Sequence, residues 1–180
     1  MRRPLALLVV ALLSTVAIAA TPASRVVTGA TVAGLFGPPW ISIEYPANPF
    51  DRANRGAYLY VHTFHHNEAI GATLTASAEG IVGEARRSMP LDLAKTERPG
   101  TYALRRQWPA DGTWMLVITM RQGGPGDGAT ALVDIGPSGD VAGVRVPSTT
   151  RDGWVVPTPV SRQQIDDALR ARTTSVARGR

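Results

Sequence analysis

Between Trp40 and about Pro147 the sequence is divided into short runs of alternating apolar and polar residues, which Gly, Pro, Asn and Asp separate. Alternation with a period of two is typical of half-buried strands. Turn signals recur roughly every 8–12 residues, the spacing of a β-sandwich or barrel. No helical period interrupts this region. The pattern therefore predicts an all-β domain of seven or eight strands over residues 40–147.

The predicted strands are, in chain order, 40–45, 57–64, 70–78, 91–95, 101–108, 114–121, 129–135 and 141–146. Two of their connections, 109–113 and 136–140, carry hairpin signals. In the first, Asp111-Gly112 provides the positive φ that a tight turn requires. We therefore expect antiparallel pairing in these parts of the sheets.

The C-terminal part follows a different pattern. Residues 148–160 contain two prolines and are predicted to be extended. Ser161 and Gln164 then have the spacing of a capping box, with the serine at the N-cap. The sequence predicts a short helix over 161–172 and a disordered tail over 173–180. The apolar face of this helix consists of Ile165, Ala168 and Leu169.

Length and cysteine content narrow the class of protein. The chain has 180 residues and no cysteine, which fits one globular domain. The absence of cysteine from the sequence excludes a disulfide scaffold, thiol catalysis and cysteine-ligated metal sites.

The N-terminus has the features of an export signal. Arg2 and Arg3 precede an uncharged run over 5–20, which ends in small residues at Ala17 and Ala19. This arrangement predicts a signal peptide over 1–20, and hence a periplasmic or secreted protein. The alternative is an uncleaved anchor, although the run is shorter than the roughly 20 residues that a membrane span needs. After cleavage we expect no transmembrane segment.

Residues 21–39 are small, polar and glycine-containing, and they predict a flexible leader before the domain. Charge is distributed unevenly over the rest. The body over 21–161 has twelve basic and twelve acidic residues, whereas the segment from 162 onward has five arginines against two aspartates. A neutral body lacks the basic face that nucleic-acid binding requires, so we exclude nucleic acid as a partner.

A motif of the form PG-x-Y at 99–102 is followed by G-x-W-x-L at 112–116. This pair of motifs resembles the core of the YtkA-like and FixH-like exported domains over about residues 99–120. The resemblance implies an immunoglobulin-like antiparallel β-sandwich. It places a tight turn at Pro99-Gly100, Tyr102 at a corner and Trp114 in the core between the sheets.

All three histidines of the chain lie within five residues, at His62, His65 and His66. On a strand, His62 and His66 share one face and could form two legs of a copper(II) or zinc site. His65 or Glu68 would supply a third leg if the strand bends or ends there. The alternative is a polar strand end with surface histidines. These residues are therefore candidate metal ligands, and copper or zinc is the only cofactor that we consider.

Aromatic side chains on the same strand form a second candidate site. Tyr58, Tyr60 and Phe64 share a face, and we expect Leu59 and Val61 on the opposite face to point inward. If the aromatic face is exposed to solvent, it is a candidate binding surface.

Recognisable catalytic patterns are missing from the sequence. Residues 136–140 do not have the glycine that a nucleophile elbow requires two positions after its serine. Residues 123–128 lack the Gly-Lys-Ser/Thr of a phosphate loop. Glu79 and Glu84 flank glycines and are interpreted as solvated loop residues.

The sequence thus favours an exported, non-enzymatic binding or accessory module. Its partner would be a protein or the periplasmic face of a membrane complex. The alternative is a periplasmic metal-handling protein that uses the histidines.

Overall fold

The computed structural model describes residues 26–27, 37–123 and 128–178. The predicted signal peptide lies outside these residues, and so does most of the predicted leader. Within the described residues, no helix is both long enough and apolar enough to span a membrane.

The described strands and the helix are β1 (Val26–Val27), β2 (Trp40–Glu44), β3 (Leu59–His65), β4 (Glu68–Ala69), β5 (Thr73–Val82), β6 (Ala85–Pro90), β7 (Leu93–Lys95), β8 (Thr101–Leu104), β9 (Thr113–Arg121), β10 (Gly128–Ile135), β11 (Val141–Arg145), β12 (Ser148–Arg151), β13 (Trp154–Pro157) and α1 (Arg162–Arg178).

These strands form two antiparallel sheets and a separate hairpin. The first sheet has the order β1-β2-β3-β8-β7, with β4 paired to β3, and the second has the order β11-β10-β9-β5-β6. The hairpin consists of β12 and β13. The predicted all-β sandwich with a C-terminal helix is confirmed. Its strands outnumber the predicted seven or eight for two reasons. The unpredicted β1, β4, β12 and β13 contain only two to four residues each, and β6, with the sequence ARRSMP, has no apolar alternation.

The core lies between the two sheets. Ile41, Ile43 and Val61 point inward from the first sheet, and Trp114 and Leu116 point inward from the second. These side chains alternate along their strands with outward-facing residues, as the period of two requires. Trp114, at 3% exposure, is in the core where the sequence placed it.

Helix α1 forms a third layer on the outer face of the second sheet. Leu169 is fully buried against Met115 and Leu132. The predicted capping box is present, since the Ser161 amide donates to Oε1 of Gln164 at 2.8 Å and the Gln164 amide donates to Oγ of Ser161 at 3.2 Å.

The helix ends at Arg178, not at residue 172, so the prediction of a disordered tail was wrong for 173–178. The reason is local: no glycine or proline occurs after Ser161 until Gly179. The sequence also predicts one extended segment over 148–160. In the structure, most of these residues form the β12–β13 hairpin instead. Its turn residues Asp152 and Gly153 have φ values of 51° and 80°, the positive pair of a two-residue hairpin turn.

Candidate functional site

Strand β3 positions most of the predicted site residues. Leu59 and Val61 are fully buried in the core, so the prediction that they point inward is confirmed. Tyr60, His62 and Phe64 therefore lie on the outer face of the first sheet. They do not form an exposed stripe, because other parts of the chain cover them.

Tyr60 is fully buried, which corrects its prediction as part of a solvent-facing binding surface. Its hydroxyl donates to Oδ2 of Asp51 at 2.7 Å, and the Arg98 guanidinium lies 4.6 Å from its ring centre. Burial and the Asp51 carboxylate raise the pKa of Tyr60 to about 12. The β2–β3 connection thus folds back over this side chain, a long-range contact that strand periodicity does not reveal.

Tyr58 and Phe64 are half-buried rather than freely exposed. The Tyr58 hydroxyl donates to the carbonyl of Gly139 at 2.8 Å, and its ring meets Trp108 edge-on at 5.1 Å between ring centres. Burial raises the pKa of this phenol. Phe64 lies opposite Trp40 in the β2–β3 ladder. These contacts give Tyr58 and Tyr60 structural roles.

His62 is held by neighbouring strands. Its Nε2 lies 2.9 Å from Oε2 of Glu44, and its Nδ1 lies 3.2 Å from Oγ1 of Thr101. A hydroxyl, an imidazole and a carboxylate in a line have the order of a catalytic triad. Thr101, however, is only 4% exposed, and its hydroxyl donates to the carbonyl of Pro99 at 3.2 Å. The hydroxyl is therefore closed to a substrate.

The four candidate metal ligands do not converge. Strand β3 ends at His65, and the φ values of His66 and Asn67, 51° and 63°, turn the chain into β4. The predicted shared face of His62 and His66 is therefore wrong, because His66 has left the strand. Glu68 is exposed and lies opposite His65 in the β3–β4 ladder. Over the described ranges, no three His, Cys, Asp or Glu side chains are placed to hold a metal ion.

His65 and His66 do lie together. Their rings stack with centres 4.0 Å apart and an interplanar angle of 23°. Near them is a cleft of about 290 Å³ between the β3–β4 turn and the β12–β13 turn. The cleft is lined by Gly37, Pro38, His65, His66, Arg151, Asp152, Trp154 and Val156. We call it the hairpin cleft.

The β12–β13 hairpin supplies the second wall of the hairpin cleft. Arg151 lies directly opposite Trp154, and Thr149 lies opposite Val156, so these four residues share one face of the hairpin. Trp154 is 37% exposed. The hairpin cleft thus combines an aromatic wall with cationic, imidazole and carboxylate groups. Sequence reasoning missed it, although Asp152-Gly153 is a hairpin signal that could have predicted the turn.

A larger cleft, of about 480 Å³, lies between the C-terminal half of α1 and the sheet turns. Arg172 reaches it from the helix, but its Nη1 lies 3.1 Å from Oδ1 of Asp134 and its guanidinium also donates to the carbonyl of Ile135. The cation is therefore committed to holding the helix on the sheet.

Glu79 was interpreted as a solvated loop residue, and that interpretation was wrong. It lies in β5 and is only 8% exposed. Its Oε1 accepts hydrogen bonds from the Ser77 and Ser88 hydroxyls, at 2.6 and 2.9 Å, and its Oε2 lies 2.8 Å from a guanidinium nitrogen of Arg86. Glu84, in the turn that follows, is exposed as expected.

Comparison with known proteins adds no assignment. No family model matches the chain, and no curated protein or solved structure matches it either. The resemblance of residues 99–120 to the YtkA-like and FixH-like domains stays a prediction.

Proposed function

We propose that this chain is an exported, non-enzymatic binding module, and that the hairpin cleft receives an extended segment of a partner protein. The observation that carries the proposal is the placement of Trp154. It is 37% exposed, whereas Trp108 and Trp114 are each 3% exposed. Tryptophan and arginine are the side chains most enriched at energetic centres of protein interfaces.

The chemistry of the hairpin cleft supports this kind of partner. Trp154, Val156 and Pro38 provide apolar surface for one side chain of the segment, and Arg151 provides a cation at the rim for a carboxylate. The hairpin cleft is shallow and open, with a volume of about 290 Å³, so it has room for a few side chains of a partner. The closed Thr101 hydroxyl, at 4% exposure, gives no support to hydrolytic chemistry.

The test compares capture of partners by two variants of the same hairpin. Trp154→Ala removes the aromatic wall, and Thr150→Ala changes an exposed residue on the opposite face of β12. We expect proteins captured from the exported fraction by the unmodified chain to be retained by Thr150→Ala and lost by Trp154→Ala. Unfolding curves of both variants are recorded alongside, since neither residue is buried. Equal capture by the two variants would reject the hairpin cleft as the binding site.

A further inference from the structure

Strand β12 is the outer strand of the β12–β13 hairpin, which forms a two-stranded sheet of its own. All four side chains of β12 are exposed, whereas β13 becomes buried toward Pro157 and packs against β10. Within the part of the chain that the structure describes, no third strand pairs with β12. The hairpin therefore has one open edge, and it lies beside the hairpin cleft, because Arg151 of β12 lines that cleft.

The register of the hairpin determines which main-chain groups face the open edge. Arg151 lies opposite Trp154 across a two-residue turn, so hydrogen bonds join this pair. The Thr158 amide donates to the carbonyl of Pro147 at 2.8 Å, in the same register. Bonded and non-bonded pairs alternate along an antiparallel ladder. The odd-numbered residues of β12 thus bond to β13, and the even-numbered residues direct their N–H and C=O groups outward.

Ser148 and Thr150 are the residues with outward main-chain groups. Pro157 lies opposite Ser148 and has no N–H, which fits a non-bonded pair. Among the described residues, the main chain of Ser148 and Thr150 has no hydrogen-bond partner outside the hairpin. Two N–H groups and two C=O groups are therefore available at alternate residues, the spacing at which a further strand pairs.

The outer strands of the two main sheets differ from β12. In the second sheet, β6 carries Arg86 and Arg87 and ends at Pro90, and the β10–β11 ladder has a register shift between Asp134 and Ile135. In the first sheet, β1 and β7 have only two and three residues. Charge, proline, irregular pairing and short length are the features by which edge strands avoid further pairing. The outward positions of β12 carry only serine and threonine, so its edge is the one that favours strand addition.

The side chains of an added strand would alternate between the two faces of the hairpin. Those opposite Thr149 and Arg151 would share a face with Trp154, toward the hairpin cleft. They would form non-bonded pairs, in which side chains lie closest. No ion pair between described residues includes Arg151, and Asp152 belongs to the turn and not to the ladder. The group that complements Arg151 is therefore a carboxylate on the added strand.

We propose that the partner segment binds as a third, antiparallel strand on β12. Its main chain pairs with Ser148 and Thr150, an acidic side chain lies opposite Arg151, and its alternate side chains face the hairpin cleft. This inference rests on the function proposed for the hairpin cleft and adds how the segment is held and which chemistry it carries. Main-chain pairing supplies affinity and the alternate side chains supply specificity. A third strand also stabilises a hairpin that is marginal with two.

The experiment removes one outward N–H and leaves the hydrogen bonds of the hairpin in place. Thr150→Pro does this, and its ring occupies the open edge, a position at which strands accept proline. Thr150→Ala is the matched control, because it keeps the N–H. The indole NMR signal of Trp154 shows whether the hairpin is intact. If that signal moves in Thr150→Pro, an ester bond at residue 150 takes the place of the proline, since it removes the same N–H without a ring.

The probes are random octapeptides displayed on phage and selected on the purified, unmodified chain. We expect the selected peptides to alternate β-branched residues and to include an acidic residue. Their binding should weaken at least about tenfold in Thr150→Pro, from the lost hydrogen bond and the blocked edge, and persist in Thr150→Ala. Arg151→Gln should remove the preference for the acidic residue. Hydrogen exchange of the Thr150 amide should slow when a selected peptide is bound.

Equal binding by Thr150→Pro and Thr150→Ala would overturn strand addition. If Trp154→Ala alone then loses the peptides, the hairpin cleft remains the binding site and only its mode of binding is wrong. Loss in Thr150→Pro with retention in Trp154→Ala would support strand addition and reject the cleft. Failure to enrich any peptide would also overturn the proposal, because pairing through the main chain does not require one particular partner sequence.

Discussion

Gly80 lies directly opposite Trp114 in the β5–β9 ladder, and the indole ring occupies the space beside its Cα. A Cβ at position 80 would lie 2.4 Å from Cε3 of Trp114. The ring has little freedom to move, because it is 3% exposed and its Nε1 donates to the carbonyl of Asp111 at 2.7 Å. The central tryptophan of the core therefore requires glycine on the neighbouring strand.

We expect Gly80→Ala to lower the free energy of unfolding by about 1–3 kcal/mol, since the added methyl group overpacks a well-filled site. Gly71→Ala is the matched control, because no atom lies within 4 Å of the Cβ that it would add. That control should change stability by less than about 0.5 kcal/mol. Urea denaturation measures both, and equal losses would contradict the packing argument.

The ion pairs of Arg86 connect the second sheet to helix α1. Its guanidinium lies 2.8 Å from the nearly buried Glu79 and 3.0 Å from Asp166 of the helix. Arg86→Met would leave the Glu79 carboxylate without its cation. We expect a loss of about 1–3 kcal/mol in unfolding free energy, the cost of an uncompensated buried group.

The control for Arg86→Met is the variant Arg170→Met, which breaks the ion pair between Arg170 and Asp167. The two side chains of that pair are 62% and 59% exposed. An exposed pair of this kind contributes less than about 1 kcal/mol. The double variant Glu79→Gln/Arg86→Met should recover part of the stability that Arg86→Met loses, because the charge is removed with its partner. No recovery would show that the uncompensated Glu79 charge is not the cause of the loss in Arg86→Met.

The layout of the sandwich could be predicted because the sequence patterns that indicate its strands and turns are local. Alternation and turn residues indicate strands without reference to the rest of the chain. The corner at Tyr102 was predicted from the PG-x-Y motif, and the structure has it: the hydroxyl donates to the carbonyl of Ala72 at 2.8 Å and accepts from the amide of the same residue at 3.0 Å. Gly100, with φ of 61°, provides the turn before it.

The candidate site could not be predicted in the same way, because it depends on contacts between distant segments. The burial of Tyr60 results from Asp51, nine residues earlier, and from Arg98, on another connection. The hairpin cleft forms only where two hairpin turns, at His66 and at Asp152, come together. Periodicity assigns a side chain to a face of its strand but does not indicate what covers that face.

The phenol of Tyr60 makes stability sensitive to alkaline pH. Its pKa is raised from 10.0 to about 12 by burial and then by the Asp51 carboxylate. A raised pKa means that the unfolded chain loses this proton first, so the stabilisation is complete below pH 10 and is lost as pH rises through about 12. Tyr60→Phe should therefore flatten the fall in stability over this range, as measured by urea denaturation at a series of pH values.

A matched variant separates the effect of Tyr60 from that of the β2–β3 loop, residues 45–58. Asn54→Ala removes the largest cause of the lowered pKa of Asp51 but leaves the Tyr60 hydroxyl in place. NMR titration of the Asp51 carboxyl should show a higher pKa in both variants. The alkaline loss of stability should persist in Asn54→Ala and shrink only in Tyr60→Phe. If Asn54→Ala also removes it, the alkaline sensitivity belongs to the loop and not to the phenol.

Metal binding by the histidines can be tested with a variant that lacks all three of them. His62 is bonded to Glu44 and Thr101, and the rings of His65 and His66 are stacked with centres 4.0 Å apart, so their nitrogens do not converge on one point. We therefore expect copper(II) and zinc to bind with dissociation constants weaker than about micromolar. Calorimetric titration of the purified protein, beside a His62→Ala/His65→Ala/His66→Ala variant, measures this directly. Stoichiometric, tighter binding that the variant loses would require the β3–β4 turn to rearrange around the ion and would restore metal handling as the function.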